Sequence, residues 1–228
     1  MFFTKIFCRL ATALGMATIS INCFGQNISL DSLEGLQAHK VMQKISSHLN
    51  RTAIHITDPD EFFGNNEDKL VIVDDIEFDN GTIEVSLAGA PGSHAGANAR
   101  GFVGIAFHIS ADASSFEAFY LRPTNGRAND QLRRNHSSQY ISYPDHPWHR
   151  LREESPGMYE SYVDLVPGEW MRVRIEVEGT RAQLYVNGAE QPSLIVNDLK
   201  LGGEAGAIGL WIGPGTDAYF SDLVVNKR

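Results

Sequence analysis

The stretch that decides the fold is GEWMRVRIEVEGTRAQLYVNGAEQPSLIV, Gly168 to Val196. Val173, Ile175 and Val177 alternate with Arg172, Arg174 and Glu176, so an extended chain here turns one face to a core and the other to water. Glu178-Gly179 and Asn187-Gly188 supply the positive φ of tight turns, and RAQLYVNGAEQPSLIV reads as a hairpin.

The same period runs outward in both directions. In GTIEVSLAG, Ile83, Val85 and Leu87 alternate with Thr82, Glu84 and Ser86. Strands are expected near residues 37–46, 52–57, 69–74, 81–88, 101–109, 115–122, 159–165, 171–178 and 181–186, with a pair within 205–225 and a short one at SQYISY. Asn80-Gly81, Asn125-Gly126 and Pro167-Gly168 punctuate them, and Asp79-Asn80-Gly81 reads as a hairpin turn. The one helix signal is DPDEFF, where Asp58 would cap a start and Pro59 would take the first position. No internal repeat, low-complexity tract or linker interrupts the pattern. It predicts an all-β protein: a two-sheet antiparallel sandwich of the jelly-roll kind, one domain over residues 26–228.

The start, MFFTKIFCRLATALGMATISINCFGQN, sets Lys5 and Arg9 ahead of an apolar, small-residue run, the layout of a secretory signal over residues 1–25. Export to the periplasm or medium is expected; cleavage before Cys23, giving a lipoprotein, is the lesser alternative, since Ser20-Ile21-Asn22 makes a poor lipobox. Cys8 and Cys23 both fall in that segment, so the remaining chain folds without a disulfide and relies on its core. A domain of this length buries roughly 70% of its unfolded surface. No later apolar run is long enough for a membrane span. Formal charge is -9 overall, and -11 once Lys5 and Arg9 are removed, which argues against nucleic acid as a partner.

Two strands are rich in small residues. GFVGIAFHIS sets Gly104, Ala106 and His108 opposite Val103, Ile105 and Phe107, and GAIGLWIG sets Ala207, Gly209 and Trp211 opposite Ile208, Leu210 and Ile212. Glycine within a strand marks close approach of a ligand or of other protein atoms. The first reading makes this face a shallow groove ending in His108 or Trp211; the second packs a loop there.

RPTNGRANDQLRRNH, Arg122 to His136, holds Arg122, Arg127, Arg133 and Arg134 and no lysine. From Arg122 to Arg152, six arginines face only Asp130 and Asp145, a local charge of +4 in an acidic protein. More than thirty mostly irregular residues separate the flanking strands, a length usual for functional loops, and Tyr140, Tyr143, Trp148 and Leu151 argue against disorder. Arginine grips carboxylates and vicinal oxygens with a planar fork. The functional reading is a ligand-binding insertion: Arg122, Asn125, Arg127, Asp130, Arg133, Arg134 and His136 as polar contacts, with Tyr140, Trp148 and Trp211 as aromatic surfaces. The scaffolding reading has the arginines pinned by carbonyls and acids.

Metal signals are weaker. His146-Pro147-Trp148-His149 offers two imidazoles, but proline in a loop fixes no common face for them. DDIEFDNG, Asp74 to Gly81, could supply oxygens to calcium, although a turn accounts for it more simply. No metal or cofactor is expected. Nor does the chain contain a G-x-S-x-G elbow, a phosphate-binding G-x-x-x-x-G-K, or a G-x-G-x-x-G in a strand-to-helix context.

The succession NGTIEVSLAG, ARGFVGIAFHI, SFEAFYLRPTNGR, EWMRVRIEVEGTRAQLYVNGAE and GAIGLWIGPGTDAYFSDLVV resembles the concanavalin A-like lectin/glucanase jelly roll over about residues 69–225. Within it the chain is most similar to laminin-G-like modules and to the bacterial 3-keto-disaccharide hydrolase domain family. The E-x-D-x-x-E motif of laminarinase-type glucanases is absent, and Val103 and His108 stand where the keto-disaccharide family has Ser and Arg. Phe116-Glu117 keeps that family's aromatic-Glu pair, with Phe119 in place of Gln. The resemblance implies that Glu117 and His108 lie on the ligand-facing side as catalytic groups. It implies cleavage of a glycosidic bond in a 3-keto glycoside: a base, Glu117 or His108, and a cation, Arg122 or Arg127, would eliminate the aglycone without a carboxylate pair. The rival reading is a non-catalytic lectin-like module for carbohydrate, neutral, oxidised or anionic. A third is a structural envelope module.

Overall fold

The computed structural model describes residues 25–59 and 68–228. Residues 1–24 of the expected signal and residues 60–63 of DPDEFF lie outside them. Among the described residues, fifteen strands form two antiparallel sheets. One sheet, here sheet A, has the order β13 (Leu194–Val196), β12 (Arg181–Val186), β11 (Met171–Glu178), β6 (Gly81–Pro91), β15 (Thr216–Lys227), β4 (Arg51–Thr57) and β3 (Met42–His48), with β1 (Gln26–Ile28) also on β15. Sheet B runs β10 (Glu160–Ser161), β9 (Ser138–Tyr143), β8 (Phe116–Leu121), β7 (Val103–Ile109), β14 (Gly206–Ile212), β5 (Leu70–Phe78) and β2 (Leu36–His39).

The sandwich core is the alternation made solid. Val173, Ile175 and Val177 point inward with Ile83, Val85 and Leu87, and meet Val103, Ile105, Phe107, Phe119, Leu121, Ile208 and Leu210 of sheet B. The hairpin from β12 to β13 forms as read, pairing Ala182 with Val196 and Leu184 with Leu194, and Asn187 and Gly188 take φ of 54° and 74°.

Several expectations are corrected by the assignment of strands to sheets. β5 lies in sheet B and β6 in sheet A, so Asn80-Gly81 crosses between sheets and is no hairpin turn. The expected pair in 205–225 is split likewise, β14 into sheet B and β15 into sheet A, and so is 37–46, β2 into sheet B and β3 into sheet A. Each separation lets a neighbouring segment cover the opposite side of the core. The strand expected at 159–165 shrinks to Glu160–Ser161, and the segment between β8 and β10 carries three short helices, α1 (Pro123–Gly126), α2 (Gln131–Asn135) and α3 (Trp148–Glu154), around β9. Asn125-Gly126 sits inside α1 instead of forming a strand turn. Asp58 uses its carboxylate to accept from the Gly215 amide at 2.9 Å.

Sheet B is buried on both faces. Its outer face carries a second apolar cluster of Leu70, Ala106, Ile109, Phe116, Ala118, Tyr120, Ile141 and Trp211. The small residues of β7 and β14 make room for this cluster: a Cβ on Gly104 would stand 2.6 Å from the Tyr120 Cα, and one on Gly209 would stand 2.9 Å from the Ile109 Cδ1. Close approach is therefore by protein atoms, the backbone of β8 at Gly104 and the Ile109 side chain at Gly209, which answers the choice between groove and packing at these two glycines.

Candidate functional site

The residues singled out from the sequence separate into three places. Glu117 and His108 were expected on a ligand-facing side; both are in the interior, Glu117 fully buried and His108 4% exposed. Glu117 is opposite Phe107 on β7, so it shares the inward face with Phe119 and Leu121. Its carboxylate accepts from His108 Nδ1 at 2.8 Å, the Tyr140 hydroxyl at 2.7 Å and the Leu201 amide at 3.1 Å. His108 joins this group because β7 bulges against β14: the pairing jumps from Ala106 with Gly209 to Ile109 with Ala207, and His108 takes φ of 53°. Its Nε2 lies 3.0 Å from the Asp79 carbonyl. Both ring nitrogens thus face oxygen atoms of the protein. Tyr140, expected as an aromatic sugar surface, is buried in the core. Burial, with the Glu117 carboxylate next, raises its hydroxyl far above the usual tyrosine range, and the proton stays on the donor. These three groups stitch the interior of sheet B to the loop at Lys200 and Leu201.

Trp211 is also corrected as an exposed surface. It is 2% exposed and stacks on Tyr120 with ring centroids 4.6 Å apart.

The third place is the insertion after β8, and here the arginine stretch divides. Arg127 forms a two-point pair with Asp164 at 2.8 and 2.9 Å in open solvent, and Arg134 donates to the Tyr162 hydroxyl at 2.7 Å. Asp130 caps α2, accepting from the Arg133 amide at 3.0 Å. Those contacts fit the scaffolding reading. Arg122 is buried as well, donating to the Tyr120 hydroxyl, Gln139 Oε1 and the His136 carbonyl at 2.8, 3.2 and 3.1 Å. Asn125 bridges: its Nδ2 donates to the His136 carbonyl at 3.1 Å, and its Oδ1 accepts from Arg133 at 3.3 and 3.4 Å.

Around these anchors stands a cationic surface. Arg100 comes in from the loop before β7 and donates to the carbonyls of Ala97 and Ala99 at 2.8 and 2.9 Å. Its pKa is lowered, first by burial and then by the charges of Arg133 and Arg122. Among the described residues neither Arg100 nor Arg133 has a carboxylate partner. Trp148, 38% exposed, has the Arg152 guanidinium 4.8 Å from its ring centre and that of Arg122 at 5.8 Å. Arg152 is held in turn by Glu160 at 2.6 and 3.1 Å, and Glu160 Oε2 is 2.7 Å from His136 Nδ1, off the line of an ideal N–H bond. Burial lowers the His136 pKa; Glu160 opposes this while Arg152 and Arg122 reinforce it.

Of the residues the sequence singles out, Arg122, Asn125, Arg133, His136 and Trp148 lie in this cluster; Arg100, Arg152 and Glu160 join it without being singled out there. Arg152 was visible as one of six arginines in the insertion; Arg100, in the small-residue stretch GANARGF, gave no signal. Neither the His146–His149 pair nor the Asp74–Asp79 acids assemble a cation cage: among the described residues no three His, Cys, Asp or Glu side chains converge in that way. Among the same residues, no helix is long and apolar enough to cross a membrane.

No protein-family model matches this chain, and no curated protein sequence matches it. Solved structures do. A carbohydrate-binding module, CBM66 from Bacillus subtilis, superposes with a TM-score of 0.54 at 12% identity, covering 83% of this chain and 93% of that one. A Bacillus subtilis protein of unknown function with a galectin-like fold gives 0.53 at 13% identity, covering 89% and 96%. A prokaryotic β-1,3-1,4-glucanase (lichenase) from a mouse hindgut metagenome gives 0.52 at 13% identity, covering 89% and 98%. The fold is the concanavalin A-like jelly roll. At such identities the likeness defines the fold alone.

Proposed function

We propose that this protein binds carbohydrate, that its ligand is an acidic glycan, and that the site is the surface of Arg100, Arg133, Trp148 and Arg152. The observation that carries the reading is the close grouping of Arg100, Arg122 and Arg133, with no carboxylate on Arg100 or Arg133 among the described residues. Like charges held together with half-buried guanidiniums repel one another, and an anion relieves that cost. Trp148, next to Arg122 and Arg152, offers a ring face for a sugar. The similarity in fold to a carbohydrate-binding module and a glucanase supports carbohydrate as the class. Cleavage of a 3-keto glycoside by Glu117 or His108 draws no support from their positions, since both are sealed in the core with their polar atoms bonded to protein.

Calorimetric titration with an oligogalacturonate and with a neutral oligoglucoside of equal length tests the reading. Binding of the first alone is expected, weakening as salt rises and lost in Arg100→Ala with Arg133→Ala. Equal binding of both sugars would remove the charge argument.

A further inference from the structure

The cationic surface contains one group its binding role leaves unused. His136 Nδ1 lies 2.7 Å from a Glu160 carboxylate oxygen, off the line of an ideal hydrogen bond, and among the described residues nothing hydrogen-bonds its Nε2, in a side chain 16% exposed. A carboxylate beside one ring nitrogen favours the neutral tautomer with its proton on that side, which leaves the lone pair on the other. The main chain of this same residue is anchored by Arg122 and Asn125, and Asn125 also holds Arg133, so His136, Arg122 and Arg133 are parts of one hydrogen-bonded unit, with the charge of Arg100 close to those of Arg122 and Arg133. The lowered pKa agrees with this, since it keeps the imidazole neutral near pH 7.

We propose that the site cleaves the glycan it binds by β-elimination, with His136 Nε2 as the base and Arg100 and Arg133 neutralising the carboxylate of a uronate residue. This rests on the acidic-glycan reading above. His136 takes the proton from the carbon bearing the carboxylate. The C–H electron pair becomes a double bond to the adjacent carbon, whose C–O bond to the neighbouring sugar breaks. The leaving oxygen departs with that pair and takes up the proton His136 accepted. No water is consumed, and no oxidant or reductant takes part. Guanidiniums at the carboxylate stabilise the charge that develops on its oxygens, which is where the barrier lies. Glu160 is a positioning residue, acting through His136.

The test incubates the full chain with 1,4-linked oligogalacturonate and oligomannuronate, and with a neutral 3-keto disaccharide, following products by mass spectrometry and by the ultraviolet absorbance of an unsaturated acid. Product pairs whose masses sum to the parent uronate are expected. Turnover should fall about 10²-fold or more in His136→Ala or His136→Gln, with binding retained. In Glu160→Gln turnover should fall and the acid limb of its pH profile move to lower pH, because Glu160 raises the His136 pKa against Arg152 and Arg122. Binding of the uronates without products, products heavier by one water, turnover of the 3-keto disaccharide alone, or full turnover in both His136 variants would each overturn the elimination while leaving acidic-glycan binding in place. Absence of binding would overturn both.

Discussion

Strand β11 of sheet A and strand β8 of sheet B are both central, yet they are wetted differently. β11 buries every second residue and leaves Arg172, Glu176 and Glu178 at least partly in water; β8, Phe116 to Leu121, buries all six. A strand with one solvated face declares its orientation by polarity, whereas a strand covered on both faces has no polar side to declare. In FEAFYL, then, nothing local tells which side Glu117 takes, and the ligand-facing placement is what the family resemblance alone implies. Its neighbours of the same parity, Phe119 and Leu121, belong to the core, and it follows them inward.

The comparison can be broken hardest at Glu117. Glu117→Ala should cost about 3–5 kcal/mol in urea unfolding, since it leaves His108 and the Tyr140 hydroxyl buried without their partner. If Glu117 served a solvent-facing ligand, the variant would be near wild-type stability. Next comes the outer face of sheet B. Gly104→Ala puts a methyl 2.2 Å from the Phe119 carbonyl oxygen and should cost about 1–3 kcal/mol. On the functional surface, Trp148→Ala should weaken binding of an acidic oligosaccharide about tenfold by titration, about 1.4 kcal/mol, at unchanged unfolding midpoint. On sheet A the smallest effect is expected: Arg172→Ala, which removes an exposed pair with Glu84, should change stability by less than about 0.5 kcal/mol.

A pH experiment sharpens the contrast from another side. Folding lowers the pKa of His136 and of His146, in each case first through burial. Below the ordinary histidine value of 6.5 the unfolded chain takes up protons that the folded one refuses, so stability falls with pH through that value and levels off below the folded pKa. The stability lost between about pH 7.5 and 5.5 should therefore be smaller in His136→Gln than in the parent. An unchanged slope would show that the ring titrates as freely in the fold as in the unfolded chain.

The sequence by itself determined where most strands lie, which face of sheet A is wet, the turn at Asn187-Gly188, and the grouping of arginines that marks the insertion. These are local matters: alternation, turn chemistry and composition act within a few residues. Tertiary structure alone decided which sheet each strand joins, the inward turn of Glu117 with the bulge that brings His108 to it, and the meeting of Arg100 with Arg133 across the insertion. The physical reason is that burial and charge proximity are settled between segments far apart in the chain. A residue's own neighbours in sequence cannot report which distant surface will cover it.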